Sequence, residues 1–342
     1  MDDSIELGPL GPYLENLEAG AAIGHRNLEL TPLKGDDHDT LNYLLAQDAL
    51  TQKVLTVTEV SEGGSVPELM VTSEADDPVL LLDGEELVGA KQNRILNTSV
   101  LLPPASKTRI PVSCVEQGRW SRRSDDFASG GWSPSDLRAR KSRDVSANLL
   151  RRGEARSDQG AVWEAVRKKM ADLDVDSPTM AMSDARQARR EGVEAYLKAL
   201  PYPDEARGVL VAVDGRFVAL DLFDWEFTLE KVWARLVSGY ALDALGAPSL
   251  RAVNPVRAKA FTAREALDLI EHLCTVEASP HPTVGMGADW RFASSRLTGQ
   301  ALVAEEACVH LCAFPKMEDD EADGQGPIRR SRIQPPSRRR RR

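Results

Sequence analysis

The sequence predicts an α+β fold: mainly antiparallel β-sheet, interrupted by a helical insertion and completed by further helices and strands toward the C-terminus. Three observations predict it. Between Leu28 and Pro104 short apolar runs alternate with Gly, Pro, Asp and Ser, the pattern of an antiparallel meander. From Asp126 to Ala199 the apolar residues change to helical spacing, as at Val162, Val166 and Met170. Asp214-Gly215 then separates two apolar runs, and this dipeptide favours the two-residue hairpin turn because Gly adopts positive φ without penalty.

Residues 1 to 22 hold few large apolar side chains and are expected to be a loose lead-in, with one domain from 23 to 316. Strands are expected at Leu55 to Thr58, Leu69 to Ser73, Val79 to Leu82, Ile95 to Leu102 and Arg109 to Val115. Ser133-Pro134-Ser135-Asp136 opens the first helix of the insertion, with Ser133 as N-cap and Pro134 at the first helical position. Ser157-Asp158 precedes the second, and Ser183 opens a third that stops before Pro201. The hairpin follows, then a helix from Thr228 to Leu245 closed by Gly246 with Pro248 beyond. Thr262 and Glu265 form a capping box for one more helix. Final strands at Trp290 to Leu297 and Ala301 to Phe314 are expected to join at Thr298-Gly299. The two β-rich portions on either side of the helical middle can share one sheet system. From 317 to 342 an acidic stretch at Glu318 to Glu321 and then a Pro/Arg stretch cannot bury apolar surface, so both are expected to be disordered.

Charge and cysteine usage narrow the function classes. The formal net charge is −10, yet Arg329 to Arg342 contains eight arginines and no acid, which leaves the body near −18. An acidic body opposes nucleic-acid binding except through the arginine tail, whose ordinary alternative is a solvated charge run. Four cysteines, Cys114, Cys274, Cys308 and Cys312, lack the spacing of a disulfide framework and suit a reducing compartment. The acidic Met1-Asp2-Asp3-Ser4 is unlike a signal peptide, and no apolar run spans a bilayer. A cytoplasmic protein with no membrane association is expected.

Two polar stretches stand where core is expected. Gly84-Glu85-Glu86-Leu87-Val88-Gly89-Ala90-Lys91-Gln92-Asn93-Arg94 follows one buried-strand run, and Ser113-Cys114-Val115-Glu116-Gln117-Gly118-Arg119-Trp120 continues another. Charged groups brought to strand ends persist only when paired with each other or with a ligand. Glu85, Glu86 and Glu116 are the candidate acid/base groups or cation ligands; the alternative is that they pair with Arg94 or Arg119. Consecutive strand residues face opposite ways, so Glu85 and Glu86 enter one cavity only across a bulge. Lys91, Gln92, Asn93, Arg94 and Arg119 are candidate ligand contacts, the cations as a phosphate clamp or else as a salt-bridge network. Trp120, like Trp132, is either a stacking platform or core. Asp221 adds a carboxylate just past the hairpin. Cys114 reads as a buried small hydrophobe, because no histidine lies near it in sequence. Cys308, His310 and Cys312 alternate on one strand face but lack a turn spacing and a fourth ligand, so no metal is expected.

These two stretches resemble the ARG and Rhodanese-Phosphatase-superfamily-associated protein domain, a prokaryotic family named for genes accompanying ADP-ribosylglycohydrolases and rhodanese-like phosphatases. Looser marks are Gln159 with Val162-Trp163, and Asp214-Gly215-Arg216 leading to Asp221-Leu222-Phe223. The resemblance spans about Leu28 to Phe314. It implies handling or sensing of ADP-ribose or a related phosphorylated nucleotide of the NAD class, in a defence setting, with a glycohydrolase or phosphatase-like partner protein. It carries no settled mechanism and leaves the cofactor unknown. Two function classes follow: an enzyme acting on that ligand, and a non-catalytic sensing or interaction module beside an enzyme.

Overall fold

A computed structural model describes residues 10–36, 41–247 and 260–316. The segments expected to be disordered after residue 316, and Pro248 beyond the long helix, lie outside the described residues. The architecture is α+β and, apart from one parallel strand pair, antiparallel.

The hairpin at Asp214-Gly215 organises the largest sheet. Both turn residues have positive φ, 49° and 71°, the geometry whose twist matches that of the flanking strands. These strands are β13 (Gly208–Val213) and β14 (Arg216–Phe223). On the outer edge of β13 lies β3 (Leu28–Lys34), bordered in turn by β1 (Glu18–Ala19) and β2 (Ile23–His25). Beside β14 come β18 (Ala307–Pro315), β17 (Leu297–Ala304), β16 (Ala288–Ala293) and β15 (Ala278–Pro282), making nine strands. The N-terminal strands thus sit in the same sheet as the C-terminal ones. The lead-in is packed from Leu10 onward: Leu10, Tyr13 and Leu14 of the α1 region (α1, Gly11–Glu15) are buried. The last strands turn at Ser294 to Arg296 and at Glu305-Glu306, where φ is 48° and 68°, rather than at Thr298-Gly299, which lies inside β17.

Helices cover both faces of this sheet. On one, α7 (Glu226–Gly246) buries Leu229, Val232, Trp233, Leu236, Val237 and Tyr240. On the other, α8 (Ala263–Leu273) buries Ala266, Leu269, Ile270 and Leu273, starting from the complete Thr262/Glu265 capping box.

A second β system fills residues 44 to 132. Six strands run in the order β12 (Phe127–Trp132), β8 (Glu85–Gly89), β9 (Arg94–Leu96), β11 (Lys107–Cys114), β6 (Glu68–Ser73) and β5 (Leu55–Glu59). Three more, β10 (Val100–Leu102), β7 (Val79–Leu81) and β4 (Leu44–Leu45), form a small sheet. A core of Val57, Val71, Val79, Leu81, Leu96, Val100, Ile110 and Val112 joins them, with α2 (Ala46–Thr51) against it. The strand expected from Ile95 to Leu102 is broken between the two sheets. Asn97, Thr98 and Ser99 interrupt it because their side chains bond distant elements: Ser113, Asp289 and His310 respectively.

The insertion begins with strand β12 and continues as α3 (Ser135–Arg152), α4 (Gln159–Asp172), α5 (Met182–Ala188) and α6 (Arg190–Ala199). α4 begins just behind Ser157-Asp158, where the sequence places it, and Asp158 caps it by accepting from the Gly160 and Ala161 amides. Ser133 does not cap α3. Its hydroxyl goes to Glu86, and the Ser135 amide is met instead by Asp243 of α7 at 2.7 Å. The helix opened near Ser183 is broken at Arg189 into α5 and α6. No helix among the described residues is long and apolar enough to cross a membrane.

Candidate functional site

The three glutamates are each held by a different arginine. Glu85 Oε1 meets Arg235 of α7 at 2.7 Å, and its Oε2 accepts the Leu82 amide at 2.9 Å. Glu86 is gripped by both terminal nitrogens of Arg186 on α5, at 3.0 and 2.9 Å, and accepts the Ser133 hydroxyl at 3.0 Å. Arg186 reaches Glu86 past Gly131, where a Cβ would lie 2.2 Å from the guanidinium carbon. Consecutive residues of β8 therefore take their partners from two different helices. Glu116 receives Arg119 Nε at 2.8 Å and Nη2 at 2.6 Å, plus the Asn93 amide at 3.0 Å. Burial pushes the Glu116 carboxyl up, but the Arg119 hydrogen bonds outweigh it and hold it below its usual range.

Arg119 is a structural hub. Besides Glu116 it donates to the carbonyls of Ala90 at 2.6 Å, Ser121 at 2.9 Å and Gly89 at 3.2 Å. Asn93 closes the same turn, its Oδ1 accepting the Gly89 amide and its Nδ2 donating to Ser183. Gln92 turns its carbonyl to Arg94 Nη1 at 2.9 Å. Together these bonds fix the β8–β9 turn against the segment carrying Trp120.

That segment borders an open cavity of about 530 Å³, lined by Thr58, Glu59, Ser61, Glu62, Lys91, Arg122 and Asp125. Trp120 is 49% exposed, and two cations lie over its ring: Lys91 Nζ at 5.5 Å and the Arg94 guanidinium at 5.9 Å from the centroid. Lys91 also donates to the Glu62 carbonyl. Arg94 is fully buried, 3.6 Å from Glu59. Of the residues singled out in the sequence, Lys91 lines this cavity, and Trp120 and Arg94 adjoin it through the ring contacts without lining it. Glu85, Glu86, Glu116, Arg119 and Asp221 do not line this cavity. A second cavity, near Asp136 and Asp243, has its buried lysine taken up: Lys169 meets both carboxylates at 2.7 Å.

Asp221 belongs to a buried charge cluster that sequence reasoning missed. Arg138 of α3 donates to both Asp221 oxygens, at 3.0 and 2.7 Å, and to Asp83 at 3.1 Å. Lys141, one turn on, bonds Asp83 and the carbonyls of Leu96 and Asn97. The Tyr240 hydroxyl donates to Asp221, and His310 Nε2 faces it at 3.0 Å. Burial raises the carboxyls of Asp83 and Asp221, yet Lys141 and Arg138 respectively hold both below their ordinary values. Burial pushes the Lys141 amine down against the pull of Asp83. Two acids and two bases leave the cluster balanced. Ser99 Oγ meets His310 Nδ1 at 2.7 Å, so Ser99, His310 and Asp221 have the connectivity of a hydrolase triad; all three are buried, and Ser99 also accepts the Asp83 amide. The ligand atoms of Asp221, His310 and Cys312 lie within 4.8 Å of one another, but Arg138 occupies both Asp221 oxygens, so the donor set fits a cation poorly.

Sequence alternation predicts one strand face for Cys308, His310 and Cys312. A register shift opposite Leu302/Val303 moves Cys308 to the core under α8, while Cys312 stays with the core under α7. Burial lifts the Cys114 thiol to about 11 and the Cys308 and Cys312 thiols further still. Iodoacetamide at neutral pH is therefore expected to leave these three untouched in the native protein and to alkylate them in urea, read by peptide mass. Native alkylation of Cys114 at a free-thiol rate would contradict this.

Some partners carried little sequence signal. Arg186 and Arg235 stand on helices far along the chain, and Arg138 and Lys141 sit in an Arg-rich stretch that resembles a solvated face. The only local hint at Arg138 and Lys141 is their three-residue spacing, which puts both on one side of α3. No curated protein and no solved structure matches the chain. The family description of the ARG and Rhodanese-Phosphatase-superfamily-associated Protein domain matches residues 16–314, and its name records an association with proteins of those superfamilies. With nearly the whole described fold inside that match, the chain belongs to the ARG and Rhodanese-Phosphatase-superfamily-associated Protein domain family.

Proposed function

We propose that the domain binds a phosphorylated nucleotide-like ligand of the ADP-ribose/NAD class in the cavity beside Trp120. It then works as a sensing module next to an ADP-ribose-processing enzyme, a glycohydrolase or phosphatase-like partner. The observation that carries the ligand class is Trp120: a half-exposed indole, with two cations within about 6 Å of its ring centre, beside a cavity that Lys91 and Arg122 line. An exposed ring offers a base its face, while Lys91 and Arg122 offer phosphate oxygens charge. A sensing role is favoured over catalysis by the candidate acids. A general acid or base has to exchange a proton with substrate, and Glu85, Glu86 and Glu116 are each buried and engaged by an arginine.

Thermal shift and calorimetry with ADP-ribose, NAD and ADP test this. A ligand that binds only the folded state raises its melting temperature. Trp120→Ala is expected to weaken binding by about 1–3 kcal/mol, the worth of one stacked base, without changing the melting temperature. No stabilisation by any of the three ligands would sink the proposal. Turnover of ADP-ribose that disappears in Glu116→Gln, with binding retained, would replace the sensor by an enzyme.

A further inference from the structure

One acid–base pair at this cavity is unlike the others. Glu86–Arg186, Glu116–Arg119 and Asp221–Arg138 are in direct hydrogen-bond contact, at 2.6 to 3.0 Å. Glu59, the last residue of β5, and Arg94, the first of β9, stop short of it: Nη2 to Oε1 is 3.6 Å. Arg94 is fully buried and spends Nη1 on the Gln92 carbonyl, while its Nε and Nη2 have no hydrogen-bond partner among the described residues. Both Glu59 carboxylate oxygens are buried and likewise have none. Opposite charges in such a setting attract strongly, and leaving their donors and acceptors unused is costly. At 3.6 Å nothing fits between them, but a third group approaching from the side can bond both at once.

The chemistry of the pair selects that group. It must donate to Glu59 and accept from Arg94. A phosphate at neutral pH chiefly accepts, and an ammonium only donates; a hydroxyl does both. Glu59 presents two acceptor oxygens, so it can take two neighbouring hydroxyls. We propose that Glu59 and Arg94 form the subsite for a vicinal diol, that of the ribose adjoining the base stacked on Trp120. The phosphates then point toward Lys91 and Arg122. This rests on the reading of the cavity as a nucleotide site and deepens it, by making the site selective for the ribose sugar.

The loop between β5 and β6 (Glu68–Ser73) lies over the subsite. A Cβ on Gly64 would be 3.3 Å from Glu59 Oε2, 3.3 Å from Lys91 Cδ and 3.4 Å from the Trp120 ring, so this residue touches all three parts of the site. Lys91 holds the loop down through the Glu62 carbonyl. An entering ligand lifts the loop at Gly63-Gly64, and Lys91 exchanges that carbonyl for a phosphate oxygen.

Calorimetry on the full chain with ADP and 2′-deoxy-ADP tests the diol directly and needs no variant. ADP is expected to bind about tenfold or more tightly, the value of losing one hydrogen bond to a charged acceptor. In Glu59→Gln, with its melting temperature checked, that preference should shrink below about threefold, because ADP loses the contact of two hydroxyls to the carboxylate and 2′-deoxy-ADP only that of its 3′-hydroxyl. Equal affinity of the wild type for the two nucleotides would overturn the diol subsite and leave nucleotide binding standing. Failure of both nucleotides to bind would overturn the subsite and the nucleotide reading together.

Discussion

Arg138→Leu is expected to cost the fold about 3–5 kcal/mol or to prevent folding, the range for taking one partner out of a buried ion pair. Among the described residues Arg138 alone bonds both Asp83 and Asp221 through its side chain, and its guanidinium also lies 5.1 Å from the Phe314 ring centre and 5.7 Å from that of Trp132. Leucine fills part of the volume but strands Asp221 with only His310 and Tyr240. Urea unfolding of the single variant and of Arg138→Leu/Asp221→Asn measures the coupling. The double variant should recover stability relative to Arg138→Leu, because the unpaired charge has gone. A single variant as stable as the wild type would mean that the cluster contributes nothing to holding the two sheets together. The cluster also sets the acid limit. Asp83 and Asp221 are held below their ordinary values, so their contribution is intact above about pH 4, near the unfolded value, and is lost as pH falls through the folded one.

Arg119→Lys is expected to lose about 2–3 kcal/mol of stability although the charge is retained. A lysine can still reach Glu116, but a single ammonium cannot also serve the carbonyls of Gly89, Ala90 and Ser121, which the planar guanidinium bonds simultaneously. Those carbonyls hold the β8–β9 turn to the segment that presents Trp120. Faster amide exchange at residues 89–94 and 117–126 should accompany the drop in melting temperature. Ligand affinity is expected to fall as well, because the platform is no longer held in place. An unchanged melting temperature together with lost affinity would instead make Arg119 a direct contact of the ligand.

Local chemistry was legible in the sequence where one element decides its own shape. The Asp214-Gly215 turn and the Thr262/Glu265 box are each settled within three residues. Alternating apolar runs likewise located β5, β6, β7 and β11. Misplacements arose where a distant partner decides. Ser133 has the chemistry of a helix cap, but Glu86 competes for its hydroxyl. Thr298-Gly299 has the composition of a turn, yet it pairs with Ala313 and Phe314 in mid-sheet, while the turn falls on two glutamates with positive φ. For the site, the polar stretch from Glu85 to Arg119 was visible as an anomaly because charges do not belong at buried strand ends. What each charge serves was not visible, since Arg186, Arg235 and Asp243 are brought in by packing of helices remote in sequence. Glu59 lay hidden for the opposite reason: it ends an ordinary strand, and only the spacing between it and Arg94 makes it noteworthy.

The pairing of β3 with β13 has a consequence for how the chain is made. Leu33 pairs with Gly208, 175 residues later, and β14 finds its other neighbour only in β18, the last described strand. At ribosomal speeds of roughly 5–20 residues per second, β3 emerges some 10–35 s before its partner exists. During that interval residues 44 to 132 can assemble their own sheets, whereas β3 waits with apolar side chains uncovered. Asp83, Arg138 and Lys141 wait too, hydrated, until Asp221, Tyr240 and His310 arrive. The nascent chain is thus most exposed to aggregation and to chaperone capture at its beginning, and truncation before β18 should be cleared by proteases rather than persist as a shorter domain.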